Sequence, residues 1–475
     1  MSLPMLKRGI AVLLGCFVQA GMAQTIDLMT AIVQATAYDA DLAEARAGYE
    51  AARQAVPQAR AALLPRIEGG WGRGKNRIAE RDMPTASYWQ NGWTVNLTQP
   101  VFDWTLWRTY QQADWITARG AVEWADARQT TTLRAARAYF DVLAAEDEVR
   151  RATDYMTEID AHLKILRSKR AAGEATVTDL REAETLSEQA RVQQMEARND
   201  SELKGRALQA MTGQPFSALA RLPDAVRPVL EPRSVDNWVA QAREKAYPVQ
   251  LKEIERQIAK IELSKAKGEH YPAVNLTASH MPATAATGFA QATKTTTVML
   301  SVSVPLFTGG GTQARIREAL ALEDKAQNGL VSASRQAEAA ARDDFSRFHW
   351  ASERIDSLTR LVQASQETLA ATKIGYDVGT RTHADVIRAF DAVRVSQRDR
   401  MRAQYEILTT LLQLKAQTGT LNEAEVARLN RMLAPGASDA KPRPPVKPKE
   451  APLPAAPVRK PETGGPALVQ WIPDE

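Results

Sequence analysis

The run Gly69-Gly70-Trp71-Gly72-Arg73-Gly74-Lys75-Asn76 nearly spells a phosphate-binding loop. Such a loop needs a lysine for the phosphates, a Ser or Thr hydroxyl for magnesium, and a helix directly behind it. Here Asn76 stands in the hydroxyl position and the segment continues a strand pattern, so nucleotide binding is not expected. The five histidines, His162, His270, His280, His349 and His383, show no metal-ligand spacing, and no pair stands four apart around a carboxylate. His383 falls in a turn, where a solvated or contact role is expected. No Ser-His-Asp or Cys-His arrangement is readable, and the only cysteine is Cys16. Neither an enzyme nor a metal or cofactor site is expected. Asn96-Leu97-Thr98 and Asn275-Leu276-Thr277 match glycosylation sequons, but both lie in alternating stretches and read as barrel residues.

The informative polar residues sit in two turns. One carries Thr178 and Asp179; the other runs Gly375-Tyr376-Asp377-Val378-Gly379-Thr380-Arg381-Thr382-His383-Ala384-Asp385-Val386. If such turns converge on an axis, Asp385 forms a ring of carboxylates, and rings of that kind select cations. The simpler reading is that Asp179 and Asp385 cap returning helices, where a negative group near the N-terminus is favourable. Pattern alone favours capping.

The elements that must position these turns follow from proline placement. No proline occurs between Val101 and Gln214, or between Leu306 and Ala434. A proline inside a helix costs roughly 3 kcal/mol, so Pro-free runs this long permit very long helices. Ala, Leu, Arg, Glu, Gln and Lys dominate both runs, and Leu133, Ala136, Phe140 and Leu143 form a packing stripe. A 60-residue helix would reach about 90 Å, more than a compact domain needs. Each run is broken once, at Gly173 and at Gly379, as glycine ends a helix in the left-handed conformation. Each therefore reads as a helical hairpin. Ahead of the hairpins, Ile67 to Trp71, Trp93 to Thr98, Val274 to Ala278 and Val298 to Val304 alternate with a period of two. That pattern fits strands with a lipid face and a water face, and equally a half-buried soluble sheet. Trp71, Trp89, Trp93, Trp104 and Trp107 cluster here, as an interfacial belt or as core aromatics.

Five landmarks recur in order. Pro65 matches Pro272, Pro100-Val101-Phe102 matches Pro305-Leu306-Phe307, and Ala171-Ala172-Gly173 matches Asp377-Val378-Gly379. Thr178-Asp179-Leu180 matches Ala384-Asp385-Val386, and Met211-Thr212-Gly213 matches Gln417-Thr418-Gly419. The shift stays between 205 and 207 residues, which indicates a duplicated unit. The predicted organisation is a signal peptide over 1–23, a first repeat over 24–225, a second over 226–433, and a Pro-rich disordered tail over 434–475 that holds 11 of the 24 prolines. Lys7 and Arg8, the short apolar run from Gly9 to Val18 and the small residues Gly21-Met22-Ala23 carry the signal. Leu13-Leu14-Gly15-Cys16 is a poor match to a lipoprotein site. A net charge of +5, with both signs interleaved, gives no reason to expect nucleic acid. No later segment is apolar enough for a transmembrane helix, so membrane insertion would have to use strands.

The repeat, the strand-closing Pro-Val-Phe and Pro-Leu-Phe, the run from Tyr376 to Val386 and the terminal Thr418-Gly419-Thr420-Leu421 together resemble the TolC-type outer-membrane efflux family, over about residues 26 to 422. The resemblance implies a mainly α protein with a membrane β-barrel portion. It would be a homotrimer whose subunits each give four strands to a 12-stranded β-barrel and long helices to a trimeric α-barrel tunnel in the periplasm. It implies a passive outer-membrane duct for type I secretion or drug and metal efflux. The partners would be a periplasmic adaptor (membrane fusion protein), an inner-membrane ABC transporter or other pump, and an exported toxin or small molecules. By the same resemblance, Tyr376 and Arg381 would bond to Asp179 and Thr178 to close the periplasmic gate, and Asp385 would supply a carboxylate ring. Arg388 stands where the family has a second aspartate, and three residues on it could neutralise Asp385. A periplasmic adaptor or a pore-less coiled-coil scaffold are the rivals. An adaptor would have one hairpin, and a scaffold has no use for strands at equivalent places in both repeats.

Overall fold

The computed structural model describes residues 25–79, 85–223, 228–285 and 293–433. The signal over 1–23 and the tail over 434–475 lie outside the described residues. The first half runs β1 (Thr25–Ile26), α1 (Leu28–Tyr38), α2 (Ala40–Arg53), α3 (Ala55–Ala61), β2 (Arg66–Ile78), β3 (Ala86–Phe102), α4 (Trp104–Ala171) and α5 (Val177–Thr212). The second runs β4 (Ala218–Leu219), α6 (Val235–Lys245), α7 (Tyr247–Gly268), β5 (Ala273–Ala285), β6 (Thr293–Ser303), α8 (Gly311–Asp377), α9 (His383–Gln417) and α10 (Glu423–Leu433). The fold is mainly helical, and α4, at 68 residues, is about 100 Å long.

The duplication reaches further toward the N-terminus than the sequence landmarks. Helix α1 begins at 28 and α6 at 235; α2 begins at 40 and α7 at 247. The two copies of this front helical unit are thus offset by 207 residues, like β2 and β5, which begin at 66 and 273. Both long hairpins turn by the same device. Gly173 and Gly379 adopt φ of 84° and 81°. After the first helix, Glu174 N–H donates to Lys169 O and Gly173 N–H to Arg170 O; after α8, Thr380 donates to Gly375 O and Gly379 to Tyr376 O. These paired bonds satisfy carbonyls that a helix end leaves free, and they require the left-handed residue.

The four long strands form one antiparallel sheet in the order β2-β3-β5-β6, with β2 and β6 at its edges. Register sorts its faces. Ile67, Trp71, Trp93, Val95, Leu97, Leu276, Val298, Leu300 and Val302 share one face. The other carries Gly70, Thr94, Asn96, Thr98, Asn275, Thr277, Thr297 and Ser301. The apolar face is uncovered within the chain: Trp71 is 73% and Val298 70% exposed. The near phosphate loop lies in β2, and Gly70 gives room for Thr94, whose Oγ1 would stand 3.0 Å from a Cβ there. Both sequons lie in strands. Pro100-Val101-Phe102 closes β3, which ends at Phe102 after an irregularity between Pro100 and Phe102. Proline lacks an N–H, and a bulge absorbs that loss. The tryptophans divide: Trp71, Trp89, Trp93 and Trp107 are exposed, whereas Trp104 packs on Gly268 and donates to Ser264 O at 3.2 Å.

The largest core lies midway along the long helices. It joins α1, the middle of α4, the end of α9 and α10 through Ala136, Phe140, Leu143, Leu408 and Leu412. Three of the four residues of the predicted stripe are buried here, and Leu133 packs at the edge. Tyr139, fully buried, donates its hydroxyl to Ala220 O at 3.0 Å, beside the short parallel β1–β4 pair.

Candidate gate at the hairpin tips

Each returning helix opens with a capping box. Asp179 N–H donates to Thr176 Oγ1 at 3.1 Å, and Thr176 N–H to Asp179 Oδ2 at 2.9 Å. In the second hairpin Asp385 N–H donates to Thr382 Oγ1 at 3.3 Å, and Thr382 N–H to Asp385 Oδ2 at 2.9 Å. Reciprocal bonds of this kind pair helix-end donors that would otherwise lack partners. The Thr382 bonds, followed by the Arg388 guanidinium, draw the Asp385 carboxyl down to about 2. At Asp179, burial pushes the carboxyl up, but the two Thr176 bonds outweigh it and the net direction is down. Both groups are ionised at neutral pH.

Arg388 pairs with Asp385 on one helix face. With Oδ2 held by Thr382 and Oδ1 by Arg388, both Asp385 oxygens are engaged. Tyr376 is half-buried against both tip cores, with Lys169 Nζ 4.9 Å over its ring and the His383 ring edge-on at 6.0 Å. Burial, then the nearby Asp179 charge, raises the Tyr376 hydroxyl. Thr178 is exposed at the first tip. Arg381 is exposed too. Its backbone N–H donates to Gly375 O at 3.1 Å, and its guanidinium has no carboxylate partner among the described residues. Within one chain, then, Tyr376 lies near Asp179, and Arg388 meets Asp385, while Arg381 reaches neither Asp179 nor Thr178.

The two hairpins are tied by residues that sequence reasoning missed. Lys169 Nζ bonds Asp377 Oδ1 at 2.7 Å, joining the last turns of α4 and α8. In the repeat Lys169 corresponds to Gly375 and Asp377 to Ala171, so the duplication gives no signal for this pair. His383 is not solvated: its side chain is 1% exposed. Its Nε2 lies 3.0 Å from His162 Nε2, with the rings within 9° of parallel and their centroids 5.2 Å apart. That geometry is a head-to-head N–H···N bond. Its Nδ1 lies 3.4 Å from Glu182 Oε2. A carboxylate only accepts, so Nδ1 carries the His383 proton and His162 donates to Nε2. Burial, then the His383 ring, lowers the His162 pKa to about 4, which keeps it neutral. No single-sequence signal links His162 to His383, since they are not equivalent positions of the repeat. Asp179, Glu182 and His383 offer ligand atoms within 4.8 Å of one another. The cap bonds on Asp179 and the protein partners of both His383 nitrogens satisfy these groups without an ion.

The family described as outer membrane efflux protein matches residues 31–214 and 238–420, once for each repeat. The chain is 28% identical to the proteases secretion protein PrtF of Dickeya chrysanthemi, over 86% of this chain and 91% of that protein. It is 25% identical to the outer membrane protein TolC of Escherichia coli (strain K12), covering 90% of each. It is 24% identical to the alkaline protease secretion protein AprF of Pseudomonas aeruginosa, over 83% of this chain and 85% of that one. Among solved structures, CusC superposes with a TM-score of 0.75 at 16% identity, over 83% of this chain and 92% of that one. VceC of Vibrio cholerae gives 0.72 at 19%, over 82% and 96%.

Proposed function

Since the chain belongs to the outer membrane efflux protein family, we propose that it is one subunit of a homotrimeric outer-membrane exit duct, passive in itself and driven by a pump in the inner membrane. The observation that carries this reading is the four-stranded sheet with one apolar face, one Gly/Ser/Thr/Asn face and two long open edges. Open edges and an uncovered apolar face are costly in water. Closing β6 of one copy on β2 of the next removes every edge, and three copies give a 12-stranded barrel with apolar residues toward lipid and polar residues toward the lumen. The long helices then extend into the periplasm as a tunnel.

PrtF and AprF carry protease secretion in their names. We therefore favour type I secretion of a protein cargo, a toxin or a protease, with an ABC transporter and a periplasmic adaptor; drug or metal efflux is the second reading, favoured by the efflux named in the family's description. No chemistry is assigned to the chain. The gate is proposed at the tips: Arg381, without a carboxylate partner among the described residues, would bond Asp179 or Thr178 of the neighbouring subunit, with Tyr376 packed beside them, and Asp385 and Arg388 would line the constriction. Opening would spread the hairpins once an adaptor breaks these bonds. Extraction of the full chain from the outer membrane as a trimer that conducts ions in planar bilayers is the expected result. A monomer without conductance would overturn the reading.

A further inference from the structure

The apolar face of the sheet changes character toward the end far from the helices. Along β2 its residues run Ile67, Gly69, Trp71, and then Arg73, Lys75 and Arg77. Across the sheet Lys294 pairs with Pro282 on the same face, in the row that continues toward Trp93 and Trp71. All four cations are exposed, and none has a carboxylate partner among the described residues. Arg73 Cζ stands 4.5 Å over the Trp89 ring and Lys75 Nζ 6.0 Å from its centre. Among the described residues this face holds no Asp or Glu; Glu68 is on the opposite face, paired with Arg66. The end of the face nearest the helices, with Leu97, Gln99, Val274 and Val302, holds no cation at all.

This one-sidedness needs a cause. Lys and Arg that only snorkel from an apolar band serve equally at either edge of a membrane. A cationic rim on the distal edge alone fits a leaflet whose headgroups carry dense negative charge there. Arg73 to Arg77 span four residues, about 13 Å along the strand, or about 10 Å of height at the usual barrel tilt. That spans the headgroup layer just beyond the Trp71–Trp93 pair. Guanidinium groups bind phosphate by two parallel hydrogen bonds, and Arg73 stacks on the Trp89 ring beside the place of that contact.

We propose that Arg73, Lys75, Arg77 and Lys294 form a docking rim for the phosphates of a phosphorylated glycolipid in the outer leaflet of the outer membrane. The proposal rests on the channel reading above, which sets the distal end of the sheet outward.

The test uses the full chain, purified from the outer membrane in detergent. Binding of bisphosphorylated lipid A and of its fully dephosphorylated form would be measured by native mass spectrometry. The wild type is expected to hold the phosphorylated lipid at least about tenfold more tightly. The combined variant Arg73→Gln/Lys75→Gln/Arg77→Gln is expected to lose that preference while keeping the trimer and its conductance. If that variant does not assemble, salt titration of the wild type decides, because phosphate contacts weaken steeply with ionic strength. A wild-type trimer that binds both lipids alike, a salt-independent preference, or a variant that retains the preference would overturn the rim alone. Recovery of the chain as a monomer outside the outer membrane would overturn the channel reading and the rim with it.

Discussion

Acid should loosen the hairpin tips through one group. His162 is neutral when folded, with a pKa near 4, against 6.5 in the unfolded chain. The folded tips bind fewer protons than the unfolded chain between these values, so their stability is full above pH 6.5 and falls as the pH drops toward 4. The groups facing the imidazole are His383, Lys373, Lys169 and Asp377, and Glu182 holds the far side of His383. Lys169 and Lys373 oppose a second positive charge, and Asp377 only partly offsets them. The full gap corresponds to about 3.4 kcal/mol. His162 is half-buried, and screening by solvent brings the expected loss to about 1–2 kcal/mol. The N–H···N contact with His383 joins α4 to α9, so the cost falls on the link between the two hairpins. Amide exchange over residues 155–185 and 370–395, corrected for intrinsic rates, should show roughly five- to tenfold more opening at pH 4.5 than at pH 7. His162→Gln keeps an N–H donor for His383 Nε2 but cannot titrate, so its tips should lose that dependence. Equal acid sensitivity in the two proteins would refute the assignment.

Other perturbations test the remaining geometry. Arg381→Ser should raise single-channel conductance in planar bilayers, and unchanged conductance would remove Arg381 from the latch. In the proposed gate, Arg388→Asp would leave Asp385 without its cation and add a second carboxylate, so a multivalent cation should block the variant from the periplasmic side at far lower concentration than wild type. Gly379→Ala forces an L side chain to φ 81° and should destabilise the second hairpin by about 1 kcal/mol, read by thermal unfolding. Gly419→Ala is more severe: at φ 63° its Cβ would stand 2.2 Å from Lys245 O, so assembled protein should fall sharply in yield while Gly173→Ala, with open space around it, behaves like Gly379→Ala.

The architecture was legible because its determinants are local. Proline exclusion, turn glycines and period-two alternation each act within a few residues, and the four strands and both hairpins appear where those signals stand. No sequence landmark falls in the front helices α1, α2, α6 and α7, since short amphipathic runs carry weak periodicity. Of the candidate gate, Asp179 and Asp385 were legible as caps because Thr-x-x-Asp is a local device. The Lys169–Asp377 and His162–His383 contacts were not read, because each joins residues more than 200 positions apart. Trp104 shows the same boundary: composition left it open between an interfacial belt and a core aromatic, and only the approach of Gly268 makes it a packing residue.

The two repeats share a turn but not its contents, and the difference has a direction. In the first hairpin the residue three before the helix C-cap is Lys169; in the second it is Gly375. A Cβ at Gly375 would lie 2.7 Å from Arg381 Cγ, so this glycine lets the Arg381 side chain fold tightly across the helix end. Lys169 instead reaches over Tyr376 to Asp377. The first tip thereby clamps the second within one chain, and Arg381 is left exposed without a carboxylate partner among the described residues. Thr382 and Arg388 meanwhile occupy both oxygens of Asp385, so the second tip carries little free negative charge there. Closure of such a gate would depend on few directional bonds between subunits rather than on cations held in a ring. If so, replacing Arg381 must change conductance more than replacing Asp385 by Asn does, and the reverse order would show that charge at the ring, not the latch, sets the closed state.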